Sequence, residues 1–114
     1  RFYETYSGHE VEALETVITG LRSKNNDLIF FAGDSTLDNK YWFADTAAAV
    51  NGYEALLDPP VMKKDVSYCV NQICASRELK IACVNTAIEA TSLNDRARGH
   101  LLAQDLLIRD SIRE

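Results

Sequence analysis

Apolar residues recur along the chain in two periods. Val11, Leu14, Val17, Ile18 and Leu21 fall at helical spacing. Ser7-Gly8-His9-Glu10 ahead of them has the form of a capping box with Ser7 as N-cap. This pattern predicts an amphipathic helix over residues 8–22. "SKNND" interrupts it, and Leu28 to Ala32 then forms a continuous apolar run, suited to a short strand buried on both faces. "NKYWFADTAAAVNG" (39–52) reads as a helix packing Trp42, Phe43, Ala47 and Val50, stopped by Asn51-Gly52. Asp58-Pro59-Pro60 is a loop. Asp65 is placed to cap a helix whose stripe is Val66, Cys69, Val70, Ile73 and Cys74. "KIACV" (80–84) is a second buried strand, and a last helix runs from near His100 to Arg113 with Leu101, Leu102, Leu106, Ile108 and Ile112.

The order is helix, strand, helix, helix, strand, helix. Strands joined by helical crossovers pair in parallel, which predicts an α/β fold with residues 28–32 beside 80–84. Two strands are few for a sheet of that kind, which normally has helices on both faces. The expectation is therefore that residues 1–114 form the N-terminal part of a single larger α/β domain.

Composition narrows the function classes. The 114 residues are 46% hydrophobic and 25% charged, as in an ordinary globular domain. A formal charge of −5 without any block of Lys or Arg argues against nucleic acid as a partner. No apolar run reaches the ~18 residues of a membrane span. Cys69, Cys74 and Cys83 include no CxxC pair, so no zinc site is expected; no cofactor is expected either. They read as buried reduced thiols, in keeping with a reducing intracellular compartment.

The candidate chemistry lies where the first strand meets Gly33-Asp34-Ser35-Thr36. Ligands of open α/β sheets bind beyond the carboxyl ends of the strands, where Ser35 falls. Gly33 permits a sharp turn and close approach, and Asp34 organises that turn by accepting backbone N–H groups. A serine hydroxyl becomes a nucleophile only with a base and with donors for the oxyanion. A plain turn hydroxyl is the competing reading.

"LIFFAGDSTLDN" resembles block I of the SGNH (GDSL-type) hydrolases, in which an apolar strand runs into Gly-Asp-Ser and the serine is the nucleophile. Asp38-Asn39 also fits that block. "KIACVNTAIEATS" resembles block II, with Asn85 after the strand and Ala90 at the position of the family's oxyanion-hole glycine. The resemblance covers about residues 28–92. It implies a flavodoxin-like three-layer α/β/α sandwich, incomplete in this chain, with Ser35 as nucleophile and the Ser35 and Ala90 backbone N–H groups as oxyanion donors. It further implies a small acyl-ester substrate. The family's Gly-x-Asn-Asp block and its Asp-x-x-His pair do not occur among these residues.

Other polar residues have plain readings. His9 and His100 are expected to be surface or capping histidines, and Glu89 a solvated loop carboxylate. Asp95, Arg96 and Arg98 fit an exposed charged face. Tyr41 and Trp42 fit a core or an acyl pocket. The alternative to a serine esterase is a non-catalytic SGNH-like subunit or binding module, held with other chains in a larger assembly.

Overall fold

The computed structural model describes residues 2–3, 8–24, 26–33, 37–38, 40, 45–88 and 102–113. In chain order the elements are α1 (Val11–Ser23), β1 (Asp27–Phe31), β2 (Thr46–Ala48), a 3₁₀ turn (Tyr53–Ala55), β3 (Val61–Lys63), α2 (Val66–Ser76), β4 (Ile81–Asn85) and α3 (Ala103–Arg113). The mixed α/β class and the parallel pairing of the two long strands agree with the sequence pattern. A complete three-layer sandwich is not present among the described residues.

α1 buries Leu14, Val17, Ile18 and Leu21, the stripe read from its spacing. Its start differs from the expected capping box. Glu10 is the N-cap and makes no side-chain cap bond. Gly8, at φ +68°, turns the chain instead and donates its N–H to Asp38. Leu14 and Leu21 are fully buried, each contributing roughly 2 kcal/mol of apolar burial.

β1 and β4 pair in parallel, Asp27 opposite Ile81 through Phe31 opposite Asn85. Side chains alternate across a strand, so Leu28, Phe30, Ala82 and Val84 share one face, and all four join the α1 stripe in the core. Ile29, on the opposite face, is 41% exposed. β1 is thus buried on one face rather than two, because no described element packs over Ile29.

The outer edge of β4 is closed by side chains. In this register Ile81 and Cys83 direct their N–H and C=O groups away from β1. Asn71 of α2 accepts the Cys83 N–H at 2.8 Å and donates to its C=O at 3.1 Å, as a neighbouring strand would. The Tyr53 hydroxyl also donates to the Cys83 carbonyl, and Asn51 donates to that of Ile81 at 2.9 Å. Burial pushes the Tyr53 phenol well above its ordinary pKa.

This arrangement rotates α2 away from its apolar stripe. Asp65 caps the helix as expected, accepting the Tyr68 N–H at 2.9 Å. The buried positions, however, are Ser67, Tyr68, Asn71 and Cys74, while Val66 and Ile73 are exposed, Ile73 by 54%. Leaving the Cys83 peptide groups unpaired would cost more than exposing those side chains does, so the amide faces inward. The same rotation leaves Cys69 exposed, against the expectation of three buried thiols; Cys74 and Cys83 are buried and free. Burial pushes the Cys83 thiol up to about 12.

The helix expected over 39–52 is also corrected. Thr46–Ala48 forms an antiparallel pair with Val61–Lys63, extended by Ala49 N–H to the Pro60 carbonyl at 2.9 Å. Asn51 (φ 58°) and Gly52 (φ 95°) take left-handed conformations at the turn that follows. Local preference in an alanine run is weak, and pairing with β3 overrides it. Tyr41, Trp42 and Phe43 lie outside the described residues.

Candidate functional site

The segments that follow β1 and β4 leave the sheet side by side at its carboxyl end. Thr86 donates its N–H to the Phe31 carbonyl at 2.8 Å, continuing the ladder by one step. Beyond it, Ile88 donates to the Gly33 carbonyl at 3.0 Å. Asn85 ties the two segments together by side chain: its Nδ2 donates to the Leu37 carbonyl at 2.8 Å, and its Oδ1 accepts the Ala87 N–H at 3.1 Å. A Cβ at Gly33 would stand 2.9 Å from a Leu37 methyl, so the approach there is close, although against a flexible side-chain end.

The candidate residues divide accordingly. Gly33 and Asn85 are brought together through these bonds. Ser35, Asp34 and Ala90 lie outside the described residues, as do Glu89, Asp95, Arg96, Arg98 and His100. Gly33 and Leu37, on either side of residues 34–36, are thus bonded to the segment after β4 and to Asn85 at the end of β4, respectively.

A buried polar group that the sequence did not disclose stands beside these segments. The Asp38 carboxylate accepts the Gly8 N–H at 2.6 Å and pairs with Lys40 Nζ at 2.7 Å. Both side chains are 2% exposed. Ions so deeply buried persist only when paired and hydrogen-bonded, so the pair fixes the chain just after Leu37. Gly8 also lies against Ile88, whose Cγ1 would be 3.0 Å from a Cβ added there. Three segments thus converge: the entry to α1, the chain after β1 and the chain after β4. The adjacent Asp38-Asn39 was visible in the sequence; the burial of Lys40 was not, because lysine is ordinarily exposed.

His9, expected at the surface, is buried. Its ring stacks on Phe2 at 3.7 Å between centroids, and Nδ1 donates to the Phe2 carbonyl at 2.6 Å. Burial, with the Lys40 charge second, lowers its pKa to about 3, so the ring is neutral at ordinary pH and a poor proton acceptor. Asp65 is buried too, with Oδ2 lacking a hydrogen-bond partner among the described residues, and burial raises its pKa.

Among the described residues no group of His, Cys, Asp and Glu stands ready to hold a metal ion. Nor is any described helix long and apolar enough to cross a membrane. Comparisons with protein-family models, curated proteins and solved structures gave no match.

Proposed function

We propose that the carboxyl end of the β1–β4 pair is the nucleophile end of a serine ester hydrolase of the SGNH type, in a flavodoxin-like sheet larger than the strands described. Ser35 attacks the acyl carbon of a small ester, forming an acyl-serine bond and releasing the alcohol. Water then cleaves the acyl-serine, freeing the acid and restoring the hydroxyl. The Ser35 and Ala90 N–H groups serve as oxyanion donors. The reading is supported above all by the bond from Ile88 N–H to the Gly33 carbonyl. Those residues precede Ala90 and Ser35 by two positions each, so the segments carrying the donors start out joined. Asn85, bonded to the Leu37 carbonyl, adds a second tie.

Proton transfer from Ser35 needs a base, which this reading assigns to the family's Asp-x-x-His pair, outside residues 1–114. One observation favours the non-catalytic alternative for the chain taken alone. His9, the histidine described, has Nδ1 committed to a carbonyl and a pKa held near 3. The test is a fluorophosphonate probe, whose phosphorus bonds to an activated serine oxygen with loss of fluoride. A polypeptide that includes the Asp-x-x-His pair should be labelled at Ser35, and Ser35→Ala should remove both labelling and ester turnover. The isolated 114-residue chain should hydrolyse a short-chain chromogenic ester no faster than its Ser35→Ala form. A longer polypeptide that resists the probe and keeps its activity in Ser35→Ala would refute the hydrolase reading.

A further inference from the structure

We propose that the outward face of α2 is a docking surface for an acidic amphipathic helix of another protein. This is independent of what Ser35 does. Val66, Cys69, Val70 and Ile73 have the spacing of a stripe that packs against a neighbour. α2 nevertheless turns Ser67, Tyr68, Asn71 and Cys74 inward, because Asn71 closes the edge of β4. Val66, Cys69 and Ile73 are therefore exposed together, with Val70 half-buried among them. Positions i, i+3, i+4 and i+7 are the anchors through which one helix engages another. A continuous apolar stripe marks an interaction site where apolar residues scattered singly do not.

Charge selects the partner. No residue from 66 to 76 is charged, so nothing along the stripe opposes an apolar contact. Cations stand at both ends: Lys63 and Lys64 ahead of the Asp65 cap, and Arg77 four residues after Ile73, where it continues the stripe. No described carboxylate pairs with any of the three. Asp65 is buried, and Asp45 meets Lys64 through a backbone carbonyl, which accepts the Lys64 N–H at 3.3 Å. Over residues 61–79, three cations that reach solvent thus stand against one exposed acid, Glu78.

A second copy of this face does not suit it. Two α2 helices side by side bring Lys64 against Arg77 if antiparallel and against Lys64 if parallel, like charges in either case. A partner helix with carboxylates at both ends of its own apolar stripe, roughly 20 Å apart, meets a cation at each end. The net charge of −5 repels such a segment from the rest of the surface and confines it to α2.

The test uses a synthetic helical peptide with Leu at i, i+3, i+4 and i+7 and Glu at both ends, and Cys69 as reporter. Iodoacetamide alkylates an exposed thiolate, sulfur displacing iodide, while the buried Cys74 and Cys83 serve as slow references. The peptide should bind with a Kd on the order of 10 μM and slow Cys69 alkylation at least ~10-fold at saturation. Replacing its Glu residues by Lys, or scrambling it so that the Leu residues share no face, should weaken binding at least ~10-fold. Ile73→Asp and Arg77→Glu, both at exposed positions, should each do the same and leave the circular dichroism unchanged. Should Ile73→Asp fail to fold, Val66→Ser on the same stripe takes its place. No binding at ~1 mM peptide, equal binding of the Glu and Lys peptides, or undiminished binding by both variants would overturn the proposal. So would Cys69 protection by phosphatidylserine vesicles but not by the peptide, which would make a membrane surface the occupant. Protection that rises with protein concentration alone would identify a second copy and overturn it too. Protection in the natural polypeptide before any peptide is added would show the stripe already covered, with the same consequence.

Discussion

The two edges of one short ladder are built in opposite ways. At β4, side chains from two distant places, Asn71 on α2 and Asn51 and Tyr53 at the turn after β2, occupy the outward carbonyl of Ile81 and both outward backbone groups of Cys83. At β1, Leu28 and Phe30 present their outward groups to a cleft. Closing an edge with amides costs the helix its most hydrophobic orientation, since Val66 and Ile73 are left exposed. The contrast identifies backbone satisfaction, not apolar area, as what orients α2, and it marks β4 as a terminal strand.

Four perturbations probe the β1–β4 ladder and its surroundings, in decreasing order of expected effect. Asn71→Leu leaves the buried Cys83 N–H without its acceptor and should cost about 3 kcal/mol in urea unfolding, despite the added apolar volume. A neutral or stabilising result would mean that apolar packing, not edge closure, governs α2.

Acid should act next, at a place belonging to neither edge. The folded pKa of His9, about 3, lies below the unfolded value of 6.5, so the unfolded chain takes up the proton first. Its contribution is complete above about pH 6.5 and drains away as pH falls toward 3. Near pH 5 the loss should be roughly 2 kcal/mol relative to pH 7. His9→Gln should flatten that part of the stability profile. An unaltered slope in that variant would place the acid sensitivity elsewhere.

Tyr53→Phe removes one of two donors to the Cys83 carbonyl and keeps the ring, so about 1 kcal/mol is expected by the same unfolding measurement. A loss as large as that of Asn71→Leu would make the phenol, rather than the amide, the principal closure. Smallest of all, Ile29→Thr on the uncovered face of β1 should change stability by no more than ~0.5 kcal/mol. A loss above about 2 kcal/mol would mean that this face is covered in solution.

Much of the fold was readable wherever a single element determines its own burial. The α1 stripe, the two apolar runs that became β1 and β4, and the Asp65 cap depend on neighbours within one turn or on a short run of side chains, and each stands within a residue or so of its expected place apart from α1's first turn. The region of the candidate site was legible in the same way, since a strand followed by Gly33-Asp34-Ser35 and another followed by Asn85 locate both carboxyl ends. What escaped the sequence were residues acting across distance: Asn71 on Cys83, Asn85 on Leu37, Asp38 on Gly8.

By itself, then, the sequence determined the α/β class and the parallel pairing of its two long strands, because hydrophobic period and turn residues act locally. Only the tertiary structure decided that residues 46–48 extend rather than coil, that α2 turns its polar face inward, and that Lys40 and His9 are buried beside Asp38 and Phe2. Those outcomes depend on which backbone and charged groups lack water once the chain is folded, a condition that no stretch of the sequence carries alone.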